Sequence, residues 1–303
     1  MKLLDRQAGQ LIRISTADGL QLEGFDVGCS DHGKAVIHVH GLSGNFYEHR
    51  FLYSIAATLL GKGWGFLSTN NRGHDYVSDI MEDSGETIQV GGNHEVITEA
   101  NSDIDAWIEY LKQDGCKTIV LEGHSLGCLK VIRYAVTGKY RSDIRLLIFI
   151  SPADIWGLQR KYFGEHTAER LKMAGELVLA GRGSDMMPAD TFSYPIDARS
   201  FVALMGSDNY VVHNSFAFSD LKAISNGWLP ALEIPSAAII GSADSAVVTP
   251  PEECLRVFRA HTKMAVYTRL LADAPHNYWK HEGELAESVA AAIEAGVGHS
   301  AAV

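Results

Sequence analysis

The chain is poor in cysteine. Only four of its 303 residues are cysteines, and no two of them form a C-x-x-C pair or stand at the spacing of metal ligands. This excludes a small secreted fold held together by disulfides, and it predicts free thiols in a reducing compartment.

Positive charge is also scarce. The 26 lysines and arginines stand against 37 aspartates and glutamates, which gives a formal net charge of -11. Nucleic acids and anionic membrane surfaces bind basic patches. The composition therefore argues against both as partners and leaves a small-molecule substrate as the expected one. It allows a homo-oligomer without indicating one.

Long hydrophobic runs are missing as well. No apolar stretch approaches the ~20 residues that span a bilayer, so we expect no membrane insertion. The first residues, Met1 to Gln7, have no apolar centre, and we expect no secretory signal there. Together with the reduced thiols, this predicts a cytoplasmic protein.

What the sequence does contain is an alternation of apolar strands and amphipathic helices. Such alternation predicts an α/β fold with a mostly parallel sheet and helices on both of its faces. A glycine-rich stretch at residues 85–93 is predicted to be a loop. The predicted strands lie at residues 11–15, 20–27, 34–40, 66–70, 118–122, 144–150, 236–240 and 264–270.

The alternation breaks between residues 153 and 228, where helical patterns and aromatic-rich loops replace the strands. We interpret this segment as a helical cap inserted after the sixth strand, on a core domain made of residues 1–152 and 229–303. As a group its aromatic residues favour a largely apolar substrate, although each one alone is better explained by packing within the cap. They are Trp156, Tyr162, Phe163, Phe192, Tyr194, Phe201, Tyr210, Phe216 and Phe218.

The most informative motif is Gly-His-Ser-Leu-Gly at residues 123–127, which lies between a predicted strand and a predicted helix. A serine on so sharp a turn needs small neighbours, because the strand and the helix crowd its strained backbone. This is the context of the G-x-S-x-G nucleophile elbow. Ser125 is therefore the candidate nucleophile.

A serine hydroxyl is a weak nucleophile at neutral pH, so it needs a base, and the base needs an orienting acid. In the elbow design both follow the serine in the chain, at the carboxyl ends of later strands. His276 lies between the last predicted strand and the last helix, and Asp244 follows the strand at 236–240. Asp154, one strand earlier, stays open as the alternative acid.

An oxyanion hole needs two backbone N–H groups aimed at the developing negative charge. Leu126, directly after the nucleophile, is expected to supply one. The second is expected from Leu42 in the Gly-rich run at residues 40–44, since glycines let the backbone approach a substrate closely. His40 is predicted to brace that loop from beneath. Candidates for the substrate pocket are His40, His124 and Trp156.

The motifs at residues 40–44, 71–74 and 123–127, followed by Asp244 and His276, resemble the α/β-hydrolase superfamily, and among its members the serine esterases and lipases with an inserted cap. The resemblance extends from about residue 12 to about residue 293. It implies an eight-stranded sheet, a Ser-His-Asp triad, and neither a cofactor nor a metal. In this superfamily the loop after the fourth strand often has the sequence Asp-x-Arg-Gly-x-Gly, whereas residues 70–75 here are Asn-Asn-Arg-Gly-His-Asp.

We therefore expect a carboxylesterase-like serine hydrolase that cleaves an ester of a small, largely apolar substrate through an acyl-enzyme. The same triad can cleave amide, thioester or carbon–carbon bonds, and the motifs do not separate these reactions. A small-molecule receptor with little turnover is the remaining alternative. Such a receptor would normally have a damaged triad or oxyanion loop, and neither is damaged in this sequence.

Overall fold

The strands of the described residues form two β-sheets. The computed structural model describes residues 6–206 and 214–298; within them, eight strands pair into a large sheet and two into a small one. The small sheet consists of β5 (Ser78–Met81) and β6 (Thr87–Val90). The strands of the large sheet are β1 (Gln10–Ser15), β2 (Gln21–Val27), β3 (Lys34–Val39), β4 (Gly65–Thr69), β7 (Thr118–His124), β8 (Ile144–Ile150), β9 (Ser236–Ala243) and β10 (Ala265–Pro275).

The order of strands in the large sheet is β1-β2-β4-β3-β7-β8-β9-β10. β1 and β2 form the predicted antiparallel hairpin, β2 is antiparallel to β4, and the other neighbours are parallel. In β8 every residue except Arg145 is buried, because both faces of a parallel sheet are covered. The parallel strands end at one edge of the sheet, so the loops that carry the candidate residues begin there.

Helices cover both faces of this sheet, as predicted. The α-helices of the described residues are α1 (Cys29–His32), α2 (Arg50–Gly61), α3 (Ala100–Gln113), α4 (Leu126–Thr137), α5 (Ile155–Leu179), α6 (Ala198–Met205), α7 (Leu221–Ser225), α8 (Pro251–His261) and α9 (Glu282–Val297). α2 and α9 pack on one face through side chains such as Phe51 and Leu285. α3, α4 and α8 pack on the other through side chains such as Trp107 and Leu129. None of the described helices is long and apolar enough to cross a membrane.

The chain between β8 and β9 contains α5, α6 and α7. The side chain of an aspartate accepts a backbone hydrogen bond at the start of each of these helices. Aspartate is a preferred N-cap residue, so the local sequence sets where each helix begins. The capping residues are Asp154, Asp197 and Asp220. Tyr210, one of the aromatic residues assigned to the predicted cap, lies outside the described residues.

The small sheet corrects one prediction. The stretch at residues 85–93 is not a loop throughout, since β6 lies within it and pairs with β5 in an antiparallel hairpin. Ile80 and Val90 are buried in the hydrophobic core, so the hairpin is held by tertiary packing. Its four-residue strands are too short to show a clear alternation, and the flanking glycines favoured a loop.

Candidate active site

Ser125 lies at the turn between β7 and α4, with φ 57° and ψ −123°. A positive φ is uncommon for a residue other than glycine and persists only where the surroundings impose it. A Cβ at Gly123 would lie 2.6 Å from the carbonyl carbon of Gly127, and a Cβ at Gly127 would lie 2.1 Å from the carbonyl oxygen of Val39. Both glycines of the motif are therefore required by steric crowding.

This crowding gives a direct test. Gly127→Ala should lower the free energy of unfolding by about 1–3 kcal/mol, since the methyl group would press on backbone atoms that cannot rotate away. A matched control is Gly175→Ala in α5, where a Cβ would meet nothing within 4 Å. There the same change should raise the free energy of unfolding by about 0.5–1 kcal/mol. Urea unfolding followed by circular dichroism measures both, and equal effects would contradict the steric explanation.

β9 and β10 bring Asp244 and His276 together. The two strands are parallel neighbours in which Pro275 pairs with Ala243. The next residue of each chain segment, His276 after β10 and Asp244 after β9, therefore lies at the same edge of the sheet. His276 Nδ1 lies 2.9 Å from Asp244 Oδ1. The same carboxylate oxygen accepts a hydrogen bond of 2.8 Å from the Ala246 amide, so two donors fix the position of this oxygen.

The environment of Asp244 keeps its carboxyl group ionised. Burial is the largest influence and by itself raises the pKa of this group. The hydrogen bond and charge of His276, helped by the Ser151 hydroxyl and the Ala246 amide, outweigh burial and hold the pKa of Asp244 below its ordinary value. A carboxylate can only accept from His276 Nδ1–H, and this leaves Nε2 of the neutral imidazole without a proton, as a base requires.

Asp154, the alternative acid, is engaged elsewhere. Its side chain accepts a hydrogen bond of 2.8 Å from the Gly157 amide and one of 2.9 Å from the Ser219 hydroxyl. Burial raises the pKa of Asp154. Of the two aspartates, only Asp244 is hydrogen-bonded to His276 in the described structure.

Ser125 and His276 line the same cavity, of about 510 Å³, at the carboxyl edge of the sheet. Leu42, Leu126 and His124 also line it. Of the other two pocket candidates, His40 is fully buried behind the loop at residues 40–44. Trp156 packs against the hydrophobic core. Neither belongs to the described lining of this cavity.

The loop after β3 is pressed against the elbow. A Cβ at Gly41 would lie 2.9 Å from Ser125 Cβ, so only glycine allows this approach. His40 lies under the loop, with Nδ1 2.8 Å from the Gly41 carbonyl oxygen and Nε2 3.1 Å from the Asn71 amide nitrogen. Because Nε2 accepts from that amide, the proton of the neutral ring is on Nδ1 and is donated to Gly41. Burial holds the pKa of His40 well below its ordinary value, which favours this neutral form.

Residues 30–277 match the family model described as serine aminopeptidase, S33. The chain belongs to this family of hydrolases. No curated protein gives a significant sequence match.

Solved structures agree on the fold of this hydrolase. Est1E from Butyrivibrio proteoclasticus, with ferulic acid bound, aligns with a TM-score of 0.62 at 19% identity over 94% of this chain and 99% of that chain. The esterase Pf2001 from Pyrococcus furiosus aligns with a TM-score of 0.57 at 20% identity over 98% and 97%. A putative hydrolase from Agrobacterium vitis S4 aligns with a TM-score of 0.60 at 15% identity over 95% and 100%. The predicted α/β-hydrolase fold is confirmed.

The sequence did not point to several residues that line the cavity of this hydrolase. Tyr76, from the loop after β4, faces Tyr194 with ring centroids 5.8 Å apart. Glu48 and His49 precede α2 and line the cavity as well. Their place in the loops after β3 and β4 was a signal in the sequence, but it does not single out individual residues. Aromatic residues of the segment after β8 that line the cavity are Tyr162, Phe192 and Tyr194.

Two histidines near His276 have pKa values below the ordinary value of histidine. His124 Nε2 lies 3.0 Å from the main-chain oxygen of His276, with the ring centroids 4.8 Å apart. Burial, and then the charge of His276, lowers the pKa of His124 well below its ordinary value. Burial and the nearby histidines lower the pKa of His49 to about 4. A neutral His124 that donates from Nε2–H to this carbonyl can steady the loop that carries His276.

Proposed function

We propose that this hydrolase is a serine esterase. Ser125 attacks the carbonyl carbon of a carboxylic ester, while His276 takes the hydroxyl proton and then gives it to the leaving alcohol. Asp244 holds the imidazole in the required tautomer and stabilises its protonated form. The observation that carries the proposal is the 2.9 Å hydrogen bond between His276 and Asp244 at a cavity that Ser125 also lines.

The backbone amides of Leu42 and Leu126 hold the oxyanion of the tetrahedral intermediate in this proposal. Supporting it, Gly41 brings the loop after β3 against Ser125, and both leucines line the cavity. Collapse of the intermediate leaves an acyl group on Ser125. Water, activated by His276, then attacks this acyl-enzyme and releases the carboxylic acid.

We also propose that residues 153–228 form a cap over a core domain made of residues 1–152 and 229–303. Tyr162, Phe192 and Tyr194 support this, because they come from that segment and line the cavity. A cavity of about 510 Å³ with aromatic walls suits a small, largely apolar ester. Est1E was solved with ferulic acid bound, and esters of aromatic carboxylic acids therefore belong among the substrates to test.

Amide cleavage is the second candidate, because the matching family is that of the serine aminopeptidases. A peptide or aminoacyl amide would pass through the same acyl-enzyme, with an amine as the leaving group. The triad geometry is common to both reactions, and the shape of the cavity decides between them.

A substrate panel with an active-site probe tests the proposal. The panel contains p-nitrophenyl esters of graded acyl length, methyl ferulate, a thioester and aminoacyl p-nitroanilides. We expect the highest kcat/KM with an ester of a short or aryl acid, and labelling of Ser125 by a fluorophosphonate, located by peptide mass spectrometry. Turnover of the anilides alone would move the assignment to an amidase. Ligand binding with a thermal shift, no product and no labelling would support the receptor instead.

A further inference from the structure

Lys130 is a fully buried lysine on α4. Its Nζ lies 2.5 Å from Glu95 Oε1, 3.1 Å from Asn71 Oδ1 and 3.5 Å from the carbonyl oxygen of His40. Lysine is almost never fully buried unless it is paired. The ion pair with Glu95 therefore holds a cation directly under the start of the loop that follows β3.

The surroundings of Glu95 leave space for its carboxylate and shield it from solvent. Its side chain is only 3% exposed. A Cβ at Gly73 would lie 2.1 Å from Glu95 Cδ, so the glycine leaves the space that the carboxylate fills. Burying two charges costs solvation free energy, and an apolar pair of similar volume is often equally stable or more so. Stability alone thus gives no reason for an ion pair at this place.

A chain of hydrogen bonds leads from Lys130 to the candidate oxyanion hole. Asn71 accepts from Lys130 Nζ through its side chain and donates its amide N–H to His40 Nε2. His40 Nδ1–H then donates to the carbonyl oxygen of Gly41. That oxygen also lies 3.3 Å from the Gly44 amide nitrogen, which donates to it. Two donors therefore fix the carbonyl of Gly41.

The carbonyl of Gly41 and the N–H of Leu42 belong to one planar peptide group. In a trans peptide these two bonds point in opposite directions. Holding the carbonyl on His40, beneath the loop, therefore turns the Leu42 N–H away from His40 and toward the side on which Leu42 lines the cavity. A protonated His40 would set its Nε2–H against the Asn71 N–H and break the chain of hydrogen bonds.

We propose that Lys130 is a positioning residue for the oxyanion hole. Through Asn71 and His40 it fixes the peptide between Gly41 and Leu42, so that the Leu42 N–H is already aimed at the oxyanion before the reaction begins. Lys130 does not touch the substrate. The inference rests on the proposed serine mechanism, because only that mechanism develops a negative charge at this loop.

The test uses a double variant. Lys130→Met alone would leave Glu95 buried without a partner and can fail to fold, whereas Lys130→Met with Glu95→Gln removes both charges and nearly keeps the volume. We expect kcat for the best ester to fall about 10–100-fold, while KM stays within about twofold. This decrease is no larger than the roughly 100-fold or greater decrease in kcat that follows the removal of one oxyanion-hole donor. Affinity for phenylboronic acid, which forms a tetrahedral adduct on the serine, should fall by the same factor as kcat. Affinity for the carboxylic acid product should not change.

Ile293→Ala in α9 is the control for general destabilisation. Ile293 is buried on the face of the sheet that α2 and α9 cover, away from α4, so this variant should melt earlier and keep its kcat and its boronate affinity. A folded double variant with the wild-type kcat and boronate affinity would overturn the role of Lys130. The proposed function would stand in that case, provided that Ser125 of the wild type is labelled by the fluorophosphonate. An unlabelled wild-type protein would contradict the proposed function and this inference together.

Discussion

Ser125→Ala should lower kcat for the best ester on the order of 10⁴–10⁶-fold and abolish labelling by a fluorophosphonate. In the proposed mechanism this variant lacks the oxygen atom that forms the acyl-enzyme, so any remaining activity would come from binding and from the oxyanion donors. Alanine can take the place of serine at φ 57° without adding atoms to the crowded elbow, and the fold should persist. Steady-state kinetics and mass spectrometry of the labelled protein measure both effects.

Ser288→Ala is the matched control. Ser288 lies on α9, where its hydroxyl donates to the main-chain oxygen of Glu284 at 2.7 Å, and it has no part in the proposed mechanism. This variant should keep full activity and full labelling. Near wild-type turnover in Ser125→Ala, once contaminating wild-type protein has been excluded, would contradict the serine mechanism.

Asp244→Asn should lower kcat on the order of 10⁴-fold with little change in KM. An amide cannot balance the charge of the protonated imidazole, and its N–H₂ group favours the His276 tautomer with the wrong nitrogen protonated. The wild-type carboxyl has a pKa below its ordinary value. Its negative charge, which stabilises the protonated imidazole, is therefore present at neutral pH and is lost only as the pH falls through that lowered pKa. Steady-state kinetics with the best ester, run at neutral pH for both proteins, measure the loss.

Asp154→Asn separates the two candidate acids. Asparagine is as good an N-cap residue as aspartate, so α5 should still begin at the same place and kcat should stay within a few-fold of the wild type. Thermal unfolding of both variants shows whether either change acts through stability. An inactive Asp154→Asn beside an active Asp244→Asn would assign the orienting acid to Asp154 instead.

Much of the fold could be predicted from the sequence because its signals are local. The hairpin of β1 and β2 has an Asp-Gly turn between two strands in which apolar residues recur at every second position, and β8 is apolar along nearly all its length. Short elements escaped, as β6 shows, because four residues between glycines carry too little pattern. The packing of Ile80 and Val90 into the core stabilises that hairpin. This packing could not be predicted from the neighbouring sequence.

In the candidate site, too, some residues could be predicted from the sequence and others could not. The motif around Ser125 could be recognised because its glycines are required by atoms only a few residues away or on the adjoining strand. Tyr76 and His49 could not be recognised as lining residues, since they meet the cavity only after separate loops converge. Lys130 looks like an ordinary position of a predicted helix until Glu95 and Asn71 are found beside it.

Local patterns in the chain are enough to predict the alternation of strands and helices, the elbow at Ser125 and two candidate acids, because steric demand, capping and apolar periodicity act within a few residues. Which of the two acids contacts His276 could not be predicted from such patterns and follows from the folded arrangement of the strands. The contact depends on the parallel pairing of β9 with β10, which sets Ala243 beside Pro275. It also depends on the N-terminus of α5, where the Asp154 side chain accepts a hydrogen bond from the Gly157 amide. Contacts between residues far apart in the chain follow from strand order and register, and no short stretch of sequence contains either.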